Sequence, residues 1–165
     1  MTGTTQHITP PDIKHIREIL ETVTDPEVPV LTITDLGVLR DVKISGNEIE
    51  VVITPTYTGC PAMDMIAMNI RLALAAHGYT SVKITSVLSP AWTTDWMTEA
   101  GKQKLKEYGI APLALSSSVL ANQLPECPHC HSPNTRLVSE FGSTACKALY
   151  QCNDCKEPFD YFKCH

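Results

Sequence analysis

The sequence predicts an α+β protein in two parts: a small mixed-sheet domain with helices over residues 10–111, and a zinc-ribbon-like module over residues 126–165. Stretches with helical apolar spacing alternate with stretches of strand-like alternation in the first two thirds of the chain. Six of the seven cysteines fall in the last 39 residues. Between the two parts, the composition of residues 112–125 shifts to small polar and aliphatic residues, which predicts a linker.

The first domain begins with a helix and a hairpin. Residues 12–23 carry apolar side chains at the spacing of one helical face, and the prolines of residues 25–29 must end that helix. Residues 38–44 and 48–54 alternate in the manner of strands. The Ser-Gly-Asn turn at residues 45–47 separates them, so a β-hairpin is expected.

The rest of the first domain repeats the pattern of helix and strand. Cys60-Pro61 opens a helix with a wide apolar face that runs to about His77, where Gly78 provides the stop. Residues 82–88 are predicted to form a third strand and residues 97–108 a third, amphipathic helix. This order favours helices packed against a mixed sheet.

Two CxxC pairs dominate the C-terminal module and supply four thiols from two tight turns: Cys127, Cys130, Cys152 and Cys155. Such pairs are typical of a tetrahedral zinc site, which stabilises a module whose own core is too small. An iron–sulfur cluster is the first alternative, because thiolates suit both metals, and a redox CxxC is the second. Residues 135–140 and 147–151, both between the two pairs, are candidates for short strands.

Several other residues of the module are left over. Cys146 and Cys164 either pack as small hydrophobes or enlarge the thiolate set for a second metal. Three histidines are expected to be solvent-exposed rather than ligands: His129, His131 and His165. Three aromatic residues form either the module's own core or its docking surface on the first domain: Phe159, Tyr161 and Phe162.

Cys60 stands apart from the other cysteines. Because Pro61 fits the first turn of a helix, Cys60 lies at or beside the N-cap, where the helix dipole is expected to lower its pKa. Since no histidine adjoins it as a base, a role as a metal ligand is favoured over nucleophilic catalysis, and an inert cysteine remains the alternative. Three loop carboxylates could act as acids or metal ligands, although such residues are usually solvated or cap a helix or turn. They are Asp25, Glu27 and Asp35.

Bulk properties exclude several classes of function. The net charge is −5, and residues 126–165 carry four Lys/Arg against five Asp/Glu, so a nucleic-acid binder is not expected. Without an apolar leader or a run of bilayer length, a cytoplasmic protein is expected. Since the chain has no HExxH, Walker, GxGxxG or GxSxG motif, an accessory role is favoured over intrinsic catalysis.

Four motifs of the first domain resemble those of the MIP18 (DUF59) family, whose members assist iron–sulfur protein assembly. They are Asp25-Pro26-Glu27, Thr34-Asp35-Leu36-Gly37, Thr58-Gly59-Cys60-Pro61 and Pro90-Ala91-Trp92. The cysteine-rich tail, with its segments at residues 139–147 and 157–164, resembles one branch, the phenylacetate-CoA oxygenase subunits PaaD/PaaJ. The resemblance runs from about residue 10 to the C-terminus.

This resemblance implies a place in bacterial phenylacetate degradation. The multicomponent oxygenase of that system epoxidises the ring of phenylacetyl-CoA with a di-iron subunit and a reductase that carries a flavin and a 2Fe–2S cluster. The branch implies a subunit that matures or supplies a metal centre, with the oxygenase components, the reductase among them, as partners. A non-catalytic structural subunit is the alternative, and a homodimer is expected because the family often dimerises.

The resemblance also implies roles for individual residues. Cys60 matches the family's reactive cysteine and is expected to hold a transient iron–sulfur cluster. Asp25, Glu27 and Asp35 lie in the loop motifs that the family implies converge near it.

Overall fold

A computed structural model of the chain describes residues 10–111 and 124–162. Most of the predicted linker, together with Cys164 and His165, therefore lies outside the described residues. Within the described part, no helix has the combination of length and apolarity that a bilayer crossing requires.

The first domain contains the predicted elements in the predicted order. They are α1 (Ile13–Leu20), β1 (Leu39–Ser45), β2 (Glu48–Ile53), α2 (Ala62–Ala76), β3 (Val82–Ser86) and α3 (Glu99–Glu107), and a 3₁₀ turn that was not predicted (Thr94–Trp96) precedes α3. The sheet has the order β1-β2-β3, with an antiparallel β1–β2 hairpin and a parallel β2–β3 pair. The predictions of a hairpin and of a mixed sheet are thus confirmed.

Local side chains fix the starts of two helices. The Asp12 carboxylate accepts a hydrogen bond from the His15 N–H at the start of α1, and the Thr98 hydroxyl accepts one from the Gly101 N–H at the start of α3. α1 and α2 each bury one face in a core that they share with β2. Eight aliphatic side chains of α1, β2 and α2 are at most 2% exposed: Ile16, Leu20, Ile49, Val51, Ile53, Ile66, Ile70 and Leu74.

The C-terminal module is a small sheet that the first domain completes. Its strands are β4 (Ile110–Ala111), β5 (Thr135–Ser139), β6 (Lys147–Cys152) and β7 (Pro158–Phe162), in the order β4-β7-β6-β5. The strand predictions for β5 and β6 are confirmed. Two strands were not anticipated: β7, and the two-residue β4, which pairs parallel with β7 directly after the first domain's last helix.

The aromatic residues of the module divide between the two interpretations. Phe162 belongs to the core of the first domain, where its ring meets the Trp92 ring edge-to-face at 5.8 Å and 79°. Phe159 instead belongs to a separate cluster with Ala111, Cys127 and Cys152, against which Tyr161 packs. The docking interpretation therefore holds for Phe162, and the ribbon-core interpretation holds for Phe159 and Tyr161.

Gly37 closes the Thr34–Gly37 turn in a left-handed conformation (φ 70°), and a Cβ at this position would lie 2.4 Å from the Trp96 carbonyl oxygen. Gly46 is also left-handed (φ 60°) but has no heavy atom within 4 Å of the same position. Gly37→Ala is therefore expected to lower the free energy of unfolding well beyond Gly46→Ala, which suffers only the backbone strain of about 1–2 kcal/mol. Urea denaturation of the two variants measures the difference, and equal losses would contradict the close approach of Trp96.

Candidate metal centre and the Cys60 site

Four cysteine sulfurs of the C-terminal module converge on one point. The ligand atoms of Cys127, Cys130, Cys152 and Cys155 all lie within 4.8 Å of one another. The Sγ atoms of Cys127 and Cys155 are 3.7 Å apart, and those of Cys130 and Cys152 are 3.6 Å apart. Sulfurs bound tetrahedrally to zinc at about 2.3 Å are spaced about 3.8 Å apart, so the set fits a single closed metal site.

The two CxxC turns share one backbone geometry. The N–H of Cys127 donates to the carbonyl of Ser132, and the N–H of Cys152 donates in the same way to that of Glu157. The residue after the second cysteine of each pair is left-handed: His131 has φ 60° and Lys156 has φ 67°. This conformation turns the chain back, and both sulfurs of each pair lie in the four-sulfur cluster.

Polar side chains tie the two turns together. Asp154 accepts hydrogen bonds from the Ser132 hydroxyl and from Asn134 Nδ2, and these bonds lower the pKa of Asp154. Asn153 Nδ2 donates to Asn134 Oδ1 at 2.9 Å. The backbone N–H of Cys155 points at the sulfur of Cys152 and lowers the pKa of that thiol to about 7. These hydrogen bonds hold the two turns in register independently of a metal ion.

The histidines beside these turns are not part of the sulfur cluster. His129 and His131 are both exposed, and His131 Nδ1 lies 3.0 Å from a carboxylate oxygen of Glu126. The expectation of exposed histidines is confirmed for these two.

Cys60 lies just before α2, with Pro61 as the N-cap residue, and its sulfur is partly buried. The expectation of a lowered pKa is wrong. Burial raises the pKa of the thiol, and the charges of Glu27 and Asp25 raise it further, which outweighs hydrogen bonds from the Ala62 N–H and from Tyr57. The helix end acts as expected, but the tertiary fold adds burial and two carboxylates that the local sequence does not reveal.

Asp25 shapes the loop that brings Glu27 close to Cys60. Its Oδ1 atom accepts hydrogen bonds from the N–H groups of Glu27 and Val28, both at 2.8 Å. Asp25 is buried, and these two hydrogen bonds to backbone N–H groups are typical of a residue that forms a turn. Of the three predicted loop carboxylates, Asp25 and Glu27 therefore lie near enough to Cys60 to raise the pKa of its thiol.

Cys146 reaches the same place from the other module. Its Sγ atom lies 3.5 Å from Glu27 Oε2 and 3.0 Å from the Thr144 hydroxyl. Burial raises the pKa of the Cys146 thiol to about 11, and the Glu27 charge contributes. Burial also raises the pKa of Tyr57 to about 12, with further contributions from Cys60, Glu27 and Cys146. Sequence reasoning left Cys146 between packing and ligation, and no sequence signal places it next to Glu27.

Asp35, the third predicted carboxylate, has its hydrogen bonds elsewhere. It accepts hydrogen bonds from Lys104 Nζ at 2.6 Å, from the Thr98 hydroxyl at 3.1 Å and from the Thr32 N–H at 3.2 Å. Burial raises the pKa of Asp35, but these hydrogen bonds outweigh it and hold the pKa below its usual value. These contacts join the Thr34–Gly37 turn to α3, whereas a role for Asp35 at the Cys60 site stays a prediction.

Lys104→Met is expected to lower the free energy of unfolding at pH 7 by about 1–2 kcal/mol, less than for a fully buried pair because Lys104 is 44% exposed. A depressed carboxyl pKa stabilises the fold above the unfolded pKa of about 3.9, so the gap from the wild type should close as the pH falls below about 4. Urea denaturation at a series of pH values measures this difference in the free energy of unfolding between the variant and the wild type. Lys102→Met, which removes only a pair with the exposed Glu99, should cost about 0.5 kcal/mol or less. A pH-independent loss for Lys104→Met would contradict the assignment.

Comparison with known proteins covers both parts of the chain. Residues 13–85 match the family described as iron-sulfur cluster assembly protein, and residues 116–163 match the PaaD zinc beta ribbon domain. A protein of Escherichia coli (strain K12), provisionally named as a 1,2-phenylacetyl-CoA epoxidase subunit, is 52% identical over 159 residues, which are 95% of this chain and 96% of that protein.

Two further relatives match the first domain. An Fe-S protein maturation auxiliary factor of Porphyromonas gingivalis is 35% identical over 92 residues, covering 54% of this chain and 87% of the relative. The crystal structure of a DUF59 domain from Bacillus anthracis superposes with a TM-score of 0.52 at 26% identity, covering 56% of this chain and 89% of that one. The resemblance read from the motifs is confirmed: the chain belongs to the PaaD family, in which a DUF59 domain is joined to a C-terminal zinc ribbon.

Proposed function

We propose that this protein is an accessory subunit of a phenylacetyl-CoA epoxidase system, in which it assists assembly of an iron–sulfur centre and Cys60 holds the cargo. The E. coli relative is named as an epoxidase subunit, and relatives of the first domain in P. gingivalis and Bacillus subtilis are named as Fe-S maturation factors. The observation that carries the proposal is the partly exposed Cys60 thiol, which is hydrogen-bonded to Tyr57 and lies within electrostatic range of the Glu27 carboxylate.

The surroundings of Cys60 favour cargo binding over covalent catalysis. The groups that act on its sulfur are a phenol, a backbone N–H and two carboxylates. None of these is the imidazole base that activates a catalytic thiol in the common Cys–His arrangement. A thiolate and carboxylates are ordinary ligands of iron, so the same surroundings suit a transient iron–sulfur unit.

We infer that the ribbon holds a structural zinc ion. Four sulfurs within 4.8 Å leave room for one ion, and a closed set of four thiolates offers no open position for a substrate. Among the residues that the structure describes, the ribbon's own buried cluster has four members, which is too little apolar surface to hold a fold without a metal. In this proposal the ribbon is the structural part, and the reductase of the epoxidase system is the client.

Co-expression of the epoxidase components with variants of this protein tests the proposal. With Cys60→Ser, the iron and acid-labile sulfide per purified reductase should fall to the level found without the protein. Thr56→Ala, a partly exposed change in the same loop but outside the Thr58–Pro61 motif, is the matched control and should restore the wild-type content. A Cys60→Ser protein that yields a fully clustered reductase would contradict the proposed role.

A structural subunit of the complex is the second candidate, favoured by one surface. Met65, Met68 and Leu72 form an apolar stripe on α2 and are 52%, 53% and 60% exposed. Such a stripe is typical of a protein–protein contact. A stable complex, with reductase cluster content unchanged when this protein is deleted, would establish that role instead. Light scattering of the isolated protein, with and without Leu72→Glu, tests whether the expected homodimer uses the stripe.

A further inference from the structure

Two consecutive residues of the ribbon reach across to the first domain. Cys146 belongs to the hydrophobic core of the first domain and is 4% exposed, and Lys147 is 5% exposed. Cys146 Sγ donates to Glu27 Oε2 at 3.5 Å, and Lys147 Nζ donates to the Glu27 carbonyl oxygen at 3.3 Å. The ribbon thus holds both the side chain and the backbone of Glu27.

The burial of Lys147 makes these contacts costly to lose. Its ammonium donates to the Ser143 hydroxyl at 3.2 Å as well as to Glu27. A buried ammonium has given up its water and depends on such hydrogen bonds to compensate for that loss. Lys147 and the Glu27 loop therefore stabilise each other across the junction of the two modules.

A closed ribbon loop fixes the direction of these side chains. The Gly142 N–H donates to the Lys147 carbonyl at 2.7 Å, and the Lys147 N–H donates to the Thr144 carbonyl at 3.2 Å. A Cβ at Gly142 would lie 2.8 Å from Asp160 Oδ1, so the loop packs tightly against β7. In the β6–β7 ladder, Lys147 is the partner of Phe162. The contact with Glu27 therefore depends on the pairing of β6 with β7.

Strand β6 joins this contact to the metal site. It begins at Lys147 and ends at Cys152, one of the four clustered cysteines. The ribbon's own buried cluster offers too little apolar surface to hold the strands without an ion. Loss of the metal is therefore expected to displace β6 and to withdraw Lys147 from Glu27.

We propose that the ribbon is a metal-dependent latch, in which Cys146 and Lys147 hold the Glu27 loop (residues 25–31) only while the ribbon keeps its ion. The inference goes beyond the proposed function, and it rests on the structural metal of the ribbon rather than on any cargo at Cys60. A latch that metal binding closes must, by reciprocity, favour metal binding by the same factor. The conformation of the first domain then depends on whether the ribbon is loaded.

Hydrogen exchange of the full-length protein tests the latch. The amides of Glu27 and Val28 are the reporters, because both donate to Asp25 Oδ1 at 2.8 Å within the latched loop. Removing the ion from the wild type with a chelator should speed their exchange at least tenfold. The amide of Val51, in the central strand of the first domain's sheet, should stay slow.

Lys147→Met opens the latch without touching a cysteine. In the zinc-loaded protein it should speed exchange of the two reporter amides about tenfold, since a hydrogen bond from a charged donor is lost. Competition with a chelator of known affinity should show zinc held about tenfold more weakly. Arg136→Met is the matched control and should match the wild type in both measurements, because Arg136 is exposed and donates to Gln151 within the ribbon.

Cys146→Ala is the second variant, and it removes only the thiol that donates to the Glu27 carboxylate. It should change both measurements in the same direction as Lys147→Met, by a smaller factor. Elemental analysis for zinc and a thermal melt confirm that each variant is loaded and folded. If Lys147→Met does not fold, Cys146→Ala and the metal-free wild type decide the result.

The outcomes separate this inference from the proposed function. Reporter amides that exchange equally fast with and without the ion overturn the latch, and so does a folded Lys147→Met protein with wild-type zinc affinity. A ribbon that holds no zinc overturns it too. Full reductase maturation by Cys60→Ser in the co-expression assay overturns the proposed function but leaves the latch standing.

Discussion

Replacing Cys152 by serine is expected to release the ribbon's metal and to unfold the β5–β7 sheet. Cys152 is fully buried, supplies one of four converging sulfurs, and ends the strand that pairs with both β5 and β7. Structural zinc contributes about 10–16 kcal/mol in zinc-finger peptides at pH 7, and a module with so small a core cannot replace it. Elemental analysis and hydrogen exchange of the strand amides measure the loss.

Cys146→Ser is the matched control for this experiment, because Cys146 is buried but lies outside the four-sulfur cluster. It should keep one metal ion per chain and the slow exchange of the ribbon amides. Acid should release the metal from the wild type, since the ligands must be deprotonated to bind. A Cys152→Ser protein that retains both the ion and the protected amides would show that the cluster is not the ribbon's metal site.

Trp92→Ala is expected to lower the free energy of unfolding by about 3–5 kcal/mol and to loosen the ribbon from the first domain. The indole is 3% exposed, donates to the Leu36 carbonyl at 2.8 Å and contacts the Phe162 ring. Trp92→Phe should cost less, because it keeps a ring against Phe162. Its principal loss is the N–H donor, which leaves the Leu36 carbonyl without that bond at a cost of about 1–3 kcal/mol. Urea denaturation measures both.

A double-mutant cycle with Phe162→Leu separates docking from general core packing. An edge-to-face ring pair contributes about 0.5–1.5 kcal/mol beyond the burial of its area, and the cycle should return a coupling of that size. Losses that simply add would mean that Trp92 stabilises the first domain without holding the ribbon.

Much of the fold followed from patterns within short stretches of chain. The apolar spacing of residues 12–23 and the Ser-Gly-Asn turn at residues 45–47 predicted α1 and the hairpin, because helix and strand periods are local properties. Two CxxC pairs likewise predicted a four-sulfur site, since each tight turn presents both of its sulfurs together. The two-residue strand β4 carries no period at all, so only its partner β7 reveals it.

The sequence predicted Cys60 as a candidate site residue, but it did not predict the surroundings of the thiol. A helix end suggested a lowered pKa, whereas burial and the carboxylates of Glu27 and Asp25 reverse the direction. The loop motif that contains Asp35 gives no indication of its ion-pair partner. That partner is Lys104, which lies 69 residues further along the chain. Contacts across such separations depend on how whole elements pack, and no short window of sequence records them.

The sequence by itself determined which residues could bind a metal, because thiol spacing within a turn is set by local chain geometry. Only the tertiary structure decided that Cys146 leaves the ribbon to meet Glu27, and that Phe162 completes the core around Trp92. The physical reason is that burial and electrostatic fields at a site are sums over neighbours from the whole molecule.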